Sequence, residues 1–154
     1  MKIEHSEKHP EGGRFQEVFR SGKSVITAEG KERSALTHIY FELDEGEVSC
    51  FHKVESDEIW NLYEGEGVGL YLWDDDAGEL VTIELSAKNR EFCHVVKAGV
   101  WQAAKPLNGK VLVGCSVGPG FEFEDFELID PESAIAQRIV KAADAKGAAL
   151  ELII

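Results

Sequence analysis

Basic residues are scarce in this 154-residue chain: 16 Lys and Arg stand against 29 Asp and Glu, a formal net charge of −13. A surface so acidic repels a phosphate backbone, whose binding needs clustered Lys and Arg, and this excludes nucleic acid as a partner. Long apolar runs are missing too. No stretch approaches the roughly 20 apolar residues of a membrane helix, and the opening MKIEHSEKHPEGG has no apolar segment of the signal-peptide kind. No membrane partner and a cytoplasmic location are therefore expected. Cysteine is limited to Cys50, Cys93 and Cys115, an odd and widely spaced set that fits neither a disulfide framework nor a paired zinc clip. With only four prolines, and without a Pro-rich or Ser-rich linker or an internal repeat, nothing divides the chain, and one domain over 1–154 is expected.

What the chain does have is glycine punctuation between short β-branched and aromatic stretches. These are Leu36–Leu43, Val48–His52, Glu58–Tyr63, Val68–Trp73, Leu80–Leu85, Phe92–Val96, Val100–Ala104, Val111–Val117 and Phe121–Phe126. Turn signals such as Asp44-Glu45-Gly46, Asn108-Gly109 and Gly118-Pro119-Gly120 separate them. Many short strands with no helices between them predict an antiparallel sandwich or barrel rather than a βαβ sheet. One amphipathic helix is expected at the C-terminal end. Asp130 would be its N-cap, Pro131 its first residue, Ile135, Ile139, Ala142 and Ala143 its apolar face, and Gly147 its end. Leu150, Leu152, Ile153 and Ile154 are too apolar for a loose tail and are expected to pack on the barrel or on another subunit.

The most informative stretch is GEVSCFHKVESDEIWNLYEG, from Gly46 to Gly65. It sets His52 at the end of one strand and Glu58 at the start of the returning one, so an imidazole and a carboxylate can converge inside a barrel, a pair suited to a divalent transition metal. Strand parity carries Cys50 and Val48 inward with His52, Val100 and Ala104 inward with Gln102, and Trp60 and Leu62 inward with Glu58, leaving Asn61 outside.

These residues resemble the cupin superfamily, whose first motif is G(X)5HXH(X)3-4E(X)6G. Gly46, His52, Glu58 and Gly65 fall on it without a gap, with Val54 where the second histidine belongs. In the second motif, G(X)5PXG(X)2H, Lys97 replaces the proline, Gly99 matches, and Gln102 takes the place of the last histidine. Five ordered blocks are similar to an uncharacterised cupin family with an HPEGG opening loop: HPEGGRFQEVFRS, IYF, FHKVESDEIW, AGVWQAA and VGCSVGPGFEFEDFEL. Arg14 stands where that family commonly has an aromatic, and Asn61 where it has a histidine. The resemblance implies an all-β fold, a double-stranded β-helix or jelly-roll barrel over about 14–128, with one C-terminal helix over about 131–146. It also implies one ligand cavity and a homodimer.

Three functions follow as expectations. The first is binding of a small polar or sugar-like metabolite with isomerase-type proton transfer: His52 as general base, Glu58 as its partner acid, and Tyr63 or Tyr40 as proton donor. This is similar to the metal-free cupin epimerases of nucleotide-linked sugars, by analogy of fold and a single histidine. Arg14 and Glu17 after the HPEGG loop, with Trp60 and Gln102, would be ligand-binding, Arg14 clamping a carboxylate or phosphate. The bland alternatives are that Pro10, Gly12 and Gly13 only turn the chain, that His52 and Glu58 tie two strands together, and that the aromatic residues, Trp101 included, are core. The second function is a weak metalloenzyme holding one divalent transition metal through His52, Glu58, Gln102 and water. The third is a non-catalytic dimeric scaffold or ligand sensor. The Gly65-x-Gly67-x-Gly69 run precedes a strand and reads as a hairpin rather than a phosphate loop, and Asp74-Asp75-Asp76 as a solvated turn. His5 and His9 read as a surface pair, and Cys50 as a weak nucleophile.

Overall fold

A computed structural model describes residues 3–4, 6–147 and 152–153. Among these described residues, thirteen strands form two facing antiparallel sheets and a small outlying hairpin. The first sheet contains β1 (Glu7–Lys8), β2 (Arg14–Arg20), β5 (Thr37–Leu43), β12 (Val111–Gly118), β7 (Asp57–Glu64) and β10 (Cys93–Val96), in the order β1-β2-β5-β12-β7-β10. The second has the order β13-β6-β11-β8-β9, formed by β6 (Ser49–Val54), β8 (Val68–Asp74), β9 (Glu79–Leu85), β11 (Trp101–Pro106) and β13 (Phe126–Leu128). The outlying pair is β3 (Ser24–Ile26) with β4 (Glu32–Ser34). The result is the expected jelly-roll barrel with one helix, α1 (Ala134–Lys146).

Period-two alternation builds the barrel. In β12, Val111, Val113, Cys115 and Val117 are buried, whereas Leu112 and Ser116 are part-exposed and Gly114 is covered by the Tyr63 ring. The inner residues meet Phe41, Leu43, Trp60, Leu70 and Ala104 in the core between the sheets. A second core lies outside the second sheet, where Phe51, Trp73, Trp101 and Ala103 are covered by Ala136, Ile139 and Ala143 of α1 and by Leu152 and Ile153. Leu152 and Ile153 thus pack on the barrel, as their apolarity requires; Leu150, Ile154 and His5 lie outside the described residues.

Several details differ from the sequence expectation. The helix starts at Ala134 with Ser133 as its N-cap, the hydroxyl accepting from Ala136 N at 3.1 Å. Asp130 instead accepts from Glu132 N at 3.0 Å, closing a turn ahead of the helix. Gly147 ends the helix in the left-handed conformation, φ 67°. Phe121–Phe126 is not a strand: a 3-10 turn over Phe123–Asp125 precedes β13, and Arg33 grips Asp125 there through two bonds of 2.7 and 2.8 Å. Val48 packs on the outer side, in the core beneath α1. The register between β11 and β6 explains why, because Gln102 pairs with His52 but Ala104 pairs with Ser49. The bulge adds a residue to β6 and reverses parity upstream of His52.

Candidate active site

β6 and β7 are consecutive strands in opposite sheets, so the barrel brings His52 and Glu58 to one cavity of about 100 Å³. A third polar group of the cavity, Glu11, comes from the loop between β1 and β2. That loop is tied back on itself, His9 N donating to Gly13 O at 3.1 Å and Gly12 N to His9 O at 3.0 Å, and it is joined to β6 by Cys50 N donating to Glu11 O at 2.7 Å. Gly12 and Gly13 have φ of 114° and 69°, and a Cβ on Gly12 would collide with the Val48 carbonyl oxygen. Only glycine lets the backbone lie so close and turn so sharply. The consequence is that Glu11 is buried beside His52.

The hydrogen bonds specify the protonation of this pair. His52 Nδ1 is 2.8 Å from the Cys50 carbonyl oxygen, which only accepts, so Nδ1 carries a proton. Nε2 is 3.0 Å from Glu11 Oε2. Burial alone would lower the His52 pKa, but the Glu11 charge and hydrogen bond outweigh it and raise the value to about 9. Burial would likewise raise Glu11, and the His52 charge holds it below the usual carboxylate range. Both ring nitrogens are therefore donors and His52 is an imidazolium at neutral pH. It has no lone pair for the base role suggested by the sequence, and its ring stacks against Phe126 at 5.5 Å.

Glu58 has different surroundings. It is buried, accepts from Gln102 Nε2 at 2.6 Å and is bonded by the Cys115 thiol. Burial raises its pKa, against the lowering pull of His52, while burial and Glu58 together push the Cys115 thiol far up. Cys115 is thus a thiol rather than a thiolate nucleophile. Gln102 in turn accepts from Trp60 Nε1 at 2.7 Å. Trp60 is a core residue that acts on the site through Gln102.

Not every residue singled out in the sequence reaches this cavity. Glu17 lines it. Arg14 does not: its guanidinium is held by Asp44 at 2.8 Å, with Glu42 and Glu47 within 3.7 Å. Tyr63 lies on the outer face of the first sheet, 46% exposed, its hydroxyl 2.9 Å from His38 Nε2, and it does not line the cavity of His52 and Glu58. Tyr40 packs against Tyr63 on that same face. Sequence reasoning missed His9, which is buried in the cavity wall rather than paired on the surface. Its ring touches Phe15, Phe41, Phe121, Phe123 and Phe126, and burial lowers its pKa, keeping it neutral. Arg20 was missed as well. Strict alternation from Phe15 and Glu17 would turn Phe19 inward, but Glu17 pairs with Ile39 and Phe19 with His38. The bulge at Val18 turns Phe19 out and brings Arg20 to the cavity mouth.

The expected metal set, His52, Glu58 and Gln102, does not fit a metal ion. Because an indole N–H only donates, Gln102 must face Trp60 with its oxygen and Glu58 with its NH2 group, which cannot ligate. Both nitrogens of His52 are committed to acceptors. Among the described residues no group of three His, Cys, Asp or Glu side chains is placed to hold a metal.

A small jelly-roll barrel with a histidine and a glutamate converging in its cavity defines a cupin. The family described as Cupin superfamily (DUF985) matches residues 5–129, and the chain belongs to that family. It is similar to a hypothetical protein from Leishmania major, with 27% identity and a TM-score of 0.79 over 94% of this chain and 93% of that one. It is also similar to a protein from Shewanella oneidensis, with 33% identity and a TM-score of 0.78 over 92% and 89% of the two chains. KdgF from a Halomonas species shares the fold at 16% identity, with a TM-score of 0.57 over 79% and 92%. No curated protein matches the chain. Among the described residues no helix is long and apolar enough to cross a membrane.

Proposed function

We propose that this cupin binds a compact polar metabolite in its barrel cavity and moves a proton on it, in the manner of an isomerase or epimerase. The observation that carries the reading is Glu58: a buried carboxyl, raised in pKa, lining a cavity walled by apolar rings. A carboxyl tuned upward by burial is suited to take and return a proton near neutral pH. In the proposed step a C–H bond beside a substrate carbonyl breaks, its proton passes to Glu58, and the electron pair moves to the carbonyl oxygen. Return of the proton to either face, or to the neighbouring carbon, gives the epimer or isomer. His52, held as a cation by Glu11, places fixed positive charge near the developing negative charge. The apolar walls favour a compact molecule with one polar end over a fully hydroxylated sugar.

The test is incubation of the protein with a panel of keto-sugars and small ketones in deuterated water, read by NMR and mass spectrometry. Deuterium should enter the substrate, and Glu58→Gln should slow its entry by about 100-fold or more. Absence of exchange across the panel overturns the reading, and binding without exchange would favour the sensor role. Exchange that appears only with stoichiometric nickel, manganese, iron or zinc, measured by elemental analysis, would favour the metalloenzyme.

A further inference from the structure

The charges around the cavity are unequally matched. Four carboxylates line it, Glu11, Glu17, Glu58 and Glu122, and two cations, Arg20 and His52. Both cations are already engaged. Arg20 donates to Glu17 Oε1 through Nε at 3.1 Å and Nη2 at 2.7 Å, to Glu122 Oε1 through Nη1 at 2.9 Å, and to the Phe121 carbonyl at 3.1 Å. His52 directs one N–H to Glu11 and the other to the Cys50 carbonyl. Glu58 is left with uncharged donors, the amide of Gln102 and the thiol of Cys115. His9, the remaining titratable group of the lining, is kept neutral by burial and adds no positive charge.

The walls point the same way. Five phenylalanines, Phe15, Phe41, Phe121, Phe123 and Phe126, surround the space and already enclose the His9 imidazole with ring centroids 5.0 to 6.3 Å apart. Aromatic faces attract cations, more strongly when water is excluded. An anion would face the Glu58 carboxylate with no uncommitted cation among the described lining residues to receive it, in a medium where like charges repel more than in water. The cavity is also smaller than the roughly 150 Å³ that admits benzene, which restricts the part of a ligand held inside to a short aliphatic body.

On the reading that the barrel cavity binds a small molecule, we propose that its ligand bears an ammonium or similar cationic head seated on Glu58, with a short apolar body among the phenylalanines, and that carboxylates and phosphates of the same shape are refused.

The experiment titrates the full chain with three probes that share a branched four-carbon skeleton, isobutylamine, isobutanol and isobutyrate, by calorimetry and by aromatic NMR shifts of His52 and Phe126. Isobutylamine should bind about tenfold or more tightly than isobutyrate and shift both resonances, with isobutanol between them. In Glu58→Gln the preference should vanish. The inference is overturned if isobutyrate binds as well as the amine, if no probe binds, or if the preference survives in Glu58→Gln. That last result would mark diffuse attraction of amines to an acidic protein. Should Glu58→Gln fail to fold, the shifts at His52 and Phe126 in the native chain decide alone: amine binding that leaves them unmoved overturns the inference. Amine preference without deuterium exchange removes the proton-transfer reading and leaves this one, whereas exchange on carboxylate substrates does the reverse.

Discussion

The Trp60 indole N–H donates to the Gln102 amide oxygen at 2.7 Å, and this bond decides which end of Gln102 faces Glu58. The amide NH2 is turned toward the carboxylate and supports its charged form, in partial opposition to burial. Trp60, buried in the barrel core, is therefore a positioning residue for Glu58.

Trp60→Phe removes the donor and frees the amide to turn over. An unsatisfied buried acceptor costs about 1–3 kcal/mol, measurable by urea unfolding. The carboxyl stretch of Glu58, identified by its loss in Glu58→Gln, should then titrate at higher pH than in the native protein. An unchanged titration would show that Gln102 is oriented by other means.

Glu11→Gln removes the counter-ion of His52. With the Glu11 charge and hydrogen bond gone, burial is opposed only by the Glu58 charge and the Cys50 carbonyl, and the imidazole pKa should fall well below about 9, as followed by NMR titration. The native His52 pKa is raised on folding, so its stabilisation is complete below about pH 6.5 and is lost as pH rises through about 9. That alkaline loss should shrink and move to lower pH in the stability profile of Glu11→Gln. Breaking a buried ion pair on one side costs about 3–5 kcal/mol where the orphaned charge cannot neutralise, so the penalty should be largest in acid, where His52 still holds its proton.

Gly12→Ala places a Cβ against the Val48 carbonyl at a φ of 114°. Strain of this kind costs about 1–3 kcal/mol, and steric displacement adds to it. Because the same loop buries Glu11, the His52 titration should move toward that of Glu11→Gln. Destabilisation with an unaltered His52 titration would separate the loop from the ion pair.

Ser133→Ala should lower stability by about 1 kcal/mol, the usual cost of a lost N-cap, while Asp130→Ala should cost less. The reverse order in thermal unfolding would return the helix start to Asp130.

Strands β5 to β12, the single helix and its Gly147 terminus were legible in the sequence because they depend on local causes, period-two alternation, glycine turns and an amphipathic face, whereas β1 to β4 were not read. Even the inward direction of Gln102, Trp60 and Glu58 followed from parity. The bulges were not legible. One at Val18 brings Arg20 rather than Phe19 to the cavity, a second, in β6, sends Val48 outward, and a third sets Leu112 opposite Glu64 but Val113 opposite Leu62. A bulge depends on how a strand meets its neighbour in the sheet, and no residue type announces it at these places.

The protonation of the site was likewise beyond reach. His52 alone reads as a base or a ligand, with an ordinary pKa, and becomes a cation only because a loop some forty residues earlier returns Glu11 to it through two glycines. Local pattern determined the barrel and the inward direction of Gln102, Trp60 and Glu58. Long-range packing determined which charges meet there, because burial and partner distance, both properties of the folded chain, set the strength of each electrostatic interaction.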